Sequence, residues 1–421
     1  LTYLGPFTGP FFDIMKYNIA TLANGLRVIH LPNNSKIAYC GYQIKAGTRN
    51  EKPGDEGLAH FCEHVTFKGT QTHTSTAIIN KLESVGGDLN AFTNKEDTVF
   101  YSAIPVEHFA KAVDVLSDIV FYSIFPQAEI DKEVEVICDE IESYNDSPAE
   151  LIYDEFENLV FKGHPLGHNI LGSADRVRGF ATADAMRFTQ QYYRPDNAIF
   201  FVYGNIDFKR LVKTLEKLTP KQQQERVVDE ALVVANGKLP ELTILNHDTH
   251  QAHVMIGNRA YSATHPLRIP LYLLNNMLGG PGMNARLNVI LRERRGLVYS
   301  VESSMVCYGD TGLWSVYFGC DPHDVNRCVR LVKGEFKRLM EKPLPEKTLA
   351  AAKRQIKGQL AVACDNNENF AIDFGKSFLH FGDEKDIEKL YQKIDAVTAE
   401  QIQQVAKEIF DKDSLATLVI K

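Results

Sequence analysis

His60, Glu63 and His64 stand together in the run Glu56-Gly57-Leu58-Ala59-His60-Phe61-Cys62-Glu63-His64-Val65-Thr66-Phe67. Its apolar residues recur at helical spacing, so the run reads as a buried helix. The two histidines are four apart, which puts both imidazoles on one face, where they can grip a single metal ion. Glu63 lies three beyond His60 on that face. Zinc brings the pKa of a water it holds to about 7, and a carboxylate close by can take that water's proton. The chemistry open to these residues is hydrolysis by a metal-activated water. A bare His-x-x-x-His pair is more often two helix histidines satisfied by solvent. The glutamate between them and the apolar helix around them are what favour a metal.

A catalytic zinc takes three protein ligands and keeps one position open. The acidic segment 129–148 offers the third, because Glu133 and Glu140 are seven apart and stack on one helical face, two turns separated. A run this acidic is ordinarily a solvated face, but the chain repeats itself and so carries an internal control. Thr182-Ala183-Asp184 opens a helical stretch leading to the apolar run Ala198–Tyr203. Thr398-Ala399-Glu400 opens another, about 216 residues on, leading to Leu415–Ile420. Pro126 and Pro345 each start a helix, about 219 apart, and the Gly86-Gly87 turn and Gly296 each precede a strand, about 210 apart. Setting Pro126 on Pro345 brings Glu133 against Ala352 and Glu140 against Gln359. The His60–His64 window then meets roughly Pro270–Asn275, which holds no His and no Glu. Ligand-type residues confined to one copy argue for a site rather than packing.

The elements that must position these residues follow from the duplication. Each half reads strand, long helix, β-hairpin region, two or three helices and a closing strand. That order predicts an α+β chain: two homologous tandem α/β-sandwich domains, with helices on one face of a mixed, largely antiparallel sheet. The expected divisions are an extension or leader over 1–14, a metal-bearing domain over 15–218, a linker over 219–239 and a second domain over 240–421. A length of 421 residues with 44% hydrophobic and 24% charged side chains gives both domains a core. Residues 1–14 lack the basic start and apolar core of a signal peptide.

A formal net charge of −8 speaks against nucleic acid as a partner. No apolar stretch approaches the ~20 residues that cross a bilayer, so no membrane partner is expected. Seven scattered cysteines without a Cys-x-x-Cys pair suggest reduced thiols and a cytoplasmic setting, with the periplasm and the mitochondrial matrix as alternatives. Four features are set aside. Leu278-Gly279-Gly280-Pro281-Gly282 lacks the Lys-Ser/Thr of a phosphate loop. His164 and His168 flank Pro165 and Gly167 and read as a loop. His250 and His253 read as opposite faces of a strand. Cys62 and Cys138 sit out of phase with the ligands, as packing thiols.

Together these residues resemble the pitrilysin/insulinase zinc metallopeptidases, the inverzincins, and within them the processing-peptidase-like bacterial branch. The inverted motif is His60-Phe61-Cys62-Glu63-His64, with Glu140 76 positions after His64. Further matches are Ala46-Gly47-Thr48-Arg49-Asn50-Glu51, Gly86-Gly87-Asp88-Leu89-Asn90-Ala91-Phe92-Thr93, and Leu291-Arg292-Glu293-Arg294-Arg295-Gly296-Leu297-Val298-Tyr299. The resemblance spans residues 15–421. It implies a zinc endopeptidase or oligopeptidase in which His60, His64 and Glu140 hold Zn2+, Glu63 is the general base and Glu133 orients the ligands. It also implies that Leu89, Asn90, Ala91, Phe92 and Thr93 form an edge on which a peptide adds as a strand. Arg292 and Tyr299 would donate to the substrate carbonyl as it becomes an oxyanion. On residues alone, Arg292–Arg295 reads only as a charged helix end. Two chains would supply the four units of the larger relatives, implying a homodimer whose active sites are completed in trans. The competing expectation is a non-catalytic scaffold or partner subunit, and such relatives typically lack part of the zinc motif.

Overall fold

The first sheet is built from strands scattered across nearly two hundred residues. In the computed structural model, which describes residues 16–221, 237–247 and 249–421, three strands come first: β1 (Asn18–Thr21), β2 (Arg27–Leu31) and β3 (Ile37–Ile44). Helices α1 (Leu58–Thr66) and α2 (Ser75–Glu83) follow, then the hairpin β4 (Asn90–Thr93) and β5 (Thr98–Pro105). Next are α3 (Phe109–Tyr122), α4 (Gln127–Asn145), α5 (Pro148–Val160), α6 (Ala174–Val177) and α7 (Thr182–Tyr192). Strand β6 (Ala198–Tyr203) closes the sheet, and α8 (Phe208–Leu218) follows it. The expected extension 1–14, and residues 222–236 of the expected linker, lie outside the described residues.

The second sheet begins with β7 (Thr243–Leu245) and β8 (Ala252–Ala260), then α9 (Arg268–Gly279) and the hairpin β9 (Val298–Cys307) and β10 (Gly312–Cys320). Helices α10 (Val325–Glu341), α11 (Glu346–Ala363), α12 (Asn367–Phe381), α13 (Ile387–Asp395) and α14 (Ala399–Ile409) lead to β11 (Ala416–Ile420). The strand orders are β1-β2-β6-β3-β5-β4 and β7-β11-β8-β10-β9. Apart from β1 they are the same order, with one parallel pair in each sheet, β2 with β6 and β7 with β11, and antiparallel pairs elsewhere. The expected single long helix near the metal motif is two short ones, α1 and α2, and Phe67–Thr74 runs between them.

The expectation of helices on one sheet face covers only half of the arrangement. Helices α1, α3 and α7 pack on the inner face of the first sheet through Cys40, Tyr42, Phe100 and Phe200. The outer face, Ile29, Leu31, Val99, Ile199 and Phe201, is covered by Phe370, Phe374 and Phe378 of α12, a helix of the other half. The exchange is reciprocal: Ile152, Phe156 and Val160 of α5 cover Met255, Leu313, Leu418 and Ile420 on the second sheet. This explains why β6 and β11 are apolar at nearly every position, since strands buried on both faces have no use for alternation.

Candidate active site

Helix α1 turns out of a left-handed Gly57, φ 94°, where a Cβ would lie 2.8 Å from the Leu171 carbonyl oxygen. Leu58, Phe61, Cys62 and Val65 anchor it in the core. That orientation leaves His60, Glu63 and His64 facing α4, which crosses close by. His60 Nε2 lies 3.9 Å from one Glu140 oxygen and His64 Nε2 lies 3.3 Å from the other. Tetrahedral zinc with bonds near 2.0–2.1 Å sets its ligand atoms roughly 3.3 Å apart, so the three donors fit such an ion. Their ligand atoms all fall within 4.8 Å of one another.

Electrostatics set the two imidazoles apart. Burial, followed by the nearby His64, brings the His60 imidazole down to about 4, the neutral form that a metal needs. Burial also pulls His64 down, but hydrogen bonds to Glu133 and Glu140 outweigh it and lift it to about 9. The carboxylates thus concentrate negative charge where a cation fits. Glu133 meets His64 Nδ1 at 3.0 Å and Lys68 Nζ at 2.5 Å. Although burial raises the Glu133 carboxyl, those two contacts hold it below its usual range. A carboxylate on the far nitrogen of a ligand histidine fixes its tautomer and ring plane.

Burial pushes the Glu63 carboxyl above its usual range, and a hydrogen bond donated by Thr93 Oγ1 to Glu63 Oε2, 2.7 Å long, partly opposes this. Thr93 ends β4, the outermost strand of its sheet. The free edge of β4 therefore runs beside α1, and Asn90 is exposed on it. Leu89 precedes the strand and packs against the core. Arg292 leaves a wide π-type turn, Asn288–Glu293, and its guanidinium sits 5.6 Å above the Tyr299 ring, whose side chain is 82% exposed. The chain brings together the metal-type residues with Glu63, Glu133 and Thr93, and it brings Arg292 together with Tyr299.

Several partners carried no signal in the sequence. Lys68 is one, and the Thr93 hydroxyl on Glu63 is another. Glu51, in a segment singled out without a role, accepts hydrogen bonds from the first turn of α1 and pairs with His168 at 2.9 Å. His168 lies in a loop, as expected, and this pairing gives it a use. His250 lies outside β8, while His253 is within it and bonds the Tyr317 hydroxyl at 2.9 Å. Cys62 and Cys138 are buried in the first core. Among the described residues no helix is long and apolar enough to cross a membrane.

Comparison with known proteins completes the picture. The family described as insulinase (peptidase family M16) matches residues 27–174, and the peptidase M16 inactive domain matches residues 181–356. The uncharacterized zinc protease YmxG of Bacillus subtilis is 31% identical over 95% of this chain and 97% of its own. An uncharacterized zinc protease of Rickettsia bellii is 32% identical over 96% of this chain and 97% of its own. In fold, the chain is similar to a protease from Helicobacter pylori, with a TM-score of 0.88 at 21% identity over 97% of this chain and all of that one.

Proposed function

The chain belongs to the insulinase family of peptidases, family M16, and on that premise we propose that it is a zinc-dependent endopeptidase or oligopeptidase acting on extended peptides. The observation that carries this reading is the donor group His60, His64 and Glu140, with the buried Glu63 carboxylate on the helix of the two histidines. His60, His64 and Glu140 would hold zinc, which when bound would supply an acidic water and a Lewis acid for the scissile carbonyl. Glu63 takes a proton from the attacking water and returns it to the departing amine nitrogen. Its raised affinity for protons, a consequence of burial, suits both steps. Thr93 restrains one Glu63 oxygen and leaves the other to move the proton. The β4 edge pairs with the substrate backbone, which selects extended peptides with little demand on side chains.

One zinc per chain is expected, together with cleavage of an unbiased peptide library read by mass spectrometry. Glu63→Gln should keep its zinc and lose about 10²–10⁴-fold in turnover. Near-wild-type turnover in that variant would end the mechanism. A fully loaded wild-type chain that cleaves nothing in the library would favour the scaffold reading.

Arg292 and Tyr299 stack on each other and are both exposed, as donors meant for a neighbouring copy would be. The proposed active form is a two-fold homodimer in which each metal centre faces the Arg292–Tyr299 pair of the other chain. Mixing an inactive Glu63→Gln chain with an inactive Arg292→Ala/Tyr299→Ala chain should restore activity, to at most about half of the sites. Freely exchanging subunits that regain nothing would refute completion in trans.

A further inference from the structure

The segment Gly47–Glu51 takes no part in the chemistry above, yet it touches the elements that do. On one side the Glu51 carboxylate, 1% exposed, accepts hydrogen bonds from the Ala59 N–H at 2.7 Å and the Gly57 N–H at 3.0 Å. Helix α1 has no capping side chain at Gly57, so Glu51 does that work from upstream, and its charge meets the positive helix end. Next to it, the N–H groups of Thr48 and Arg49 donate to the carbonyls of Asn94 and Lys95 in the turn that follows β4. A Cβ on Gly47 would lie 2.1 Å from the Asn94 oxygen, so the approach requires glycine. On the far side the Arg49 guanidinium makes a two-point pair with Asp310, at 2.7 and 2.5 Å, and reaches Glu96 at 2.7 Å. Glu96 accepts from the Gly309 N–H at 3.1 Å. Gly309 and Asp310 form the β9–β10 turn of the other half.

His60 is the third residue of α1, within the turn that Glu51 ties down. An uncapped first turn frays, and fraying moves His60 more than His64. Metal sites tolerate displacements of only a few tenths of an ångström. We propose that Glu51 and Arg49 are positioning residues for the metal centre. Glu51 fixes the turn that carries His60, and Arg49, locked on Asp310, makes that fix depend on the docking of the second half. The non-zinc half thus serves the site within its own chain, in addition to any service across a dimer. The inference rests on His60, His64 and Glu140 being the metal group.

Zinc affinity, measured by competition with a chromophoric chelator on the full-length protein, separates the possibilities. Glu51→Gln should bind zinc about five- to ten-fold more weakly and lower kcat, with KM nearly unchanged because β4 stays in place. Asp310→Asn should weaken zinc about two- to three-fold, Arg49→Gln, which also loses Glu96, at least as much, and the double variant no more than Arg49→Gln alone, because both changes break the Arg49–Asp310 pair. A purely structural ion pair would lower the melting temperature and leave zinc affinity and kcat at wild-type values, and that result overturns the proposal. Should Glu51→Gln fail to fold, Asp310→Asn decides, and wild-type zinc affinity there is equally fatal. A wild-type chain that takes up no zinc would instead sink the metal reading itself.

Discussion

The two halves share one strand order and differ in what their first helices carry. Strands β2, β6, β3, β5 and β4 correspond in order to β7, β11, β8, β10 and β9, and α4 and α11 start one residue after Pro126 and Pro345. Helix α1 presents His60, Glu63 and His64, whereas α9 presents Asn275 and Asn276 and has no imidazole or carboxylate. The counterpart of Glu140 on α11 is Gln359, an amide with the shape of a carboxylate but not its charge. Among the described residues the second half has no such donor group, and Asn275, Arg292 and Gln359 line a cleft of about 500 Å³. The scaffold is therefore indifferent to the ligands. A handful of polar side chains decides which copy carries a metal-type donor group, while the apolar faces that the halves share keep both folded.

The comparison breaks most visibly at the metal. His60→Ala, His64→Ala and Glu140→Gln should each abolish stoichiometric zinc and activity, while Gln359→Ala should leave one zinc per chain. Zinc loss from the Gln359 variant would mean that the second half has a metal role. Next is the exchange of helices. Phe374→Ala on α12 and Phe156→Ala on α5 each empty a fully buried site between the halves and should each cost about 3–5 kcal/mol in denaturant unfolding. Both should lower a single shared transition. Two separated transitions would show that each half folds independently of its borrowed helix.

A smaller effect comes from Asp97, in the turn after β4, which meets Lys376 at 2.9 Å and His380 at 3.6 Å, both on α12. Burial raises its carboxyl, but His380 and Lys376 outweigh burial and bring it down to about 2. The folded value is below the unfolded one, so the stabilisation is present above about pH 4 and disappears as pH falls from about 4 to 2. Asp97→Asn should therefore destabilise the protein by about 2 kcal/mol at pH 6, with the gap to wild type narrowing below pH 4. A gap that does not change with pH would remove this ion pair from the account.

Sequence alone determined what depends on local spacing and on the repeat. Residues four apart on a helix share a face in any fold, so His60 and His64 with Glu63 were legible as one group on one helix, and matched landmarks pointed to the two α/β layers. Glu133 and Glu140 were legible as a pair on one face. Their separate places, Glu140 beside both imidazoles and Glu133 behind His64, depend on how α4 crosses α1, which no spacing along the chain encodes. The same limit hid the Thr93 hydroxyl on Glu63, Lys68 on Glu133, and Glu51 beneath the first turn of α1. It also hid the exchange of α5 and α12. The apolar runs of β6 and β11 announce burial on both faces, but an apolar face does not specify which helix covers it. Only tertiary structure decides that, because the hydrophobic effect has no direction, and the partner is selected by the shape and connections of the whole chain.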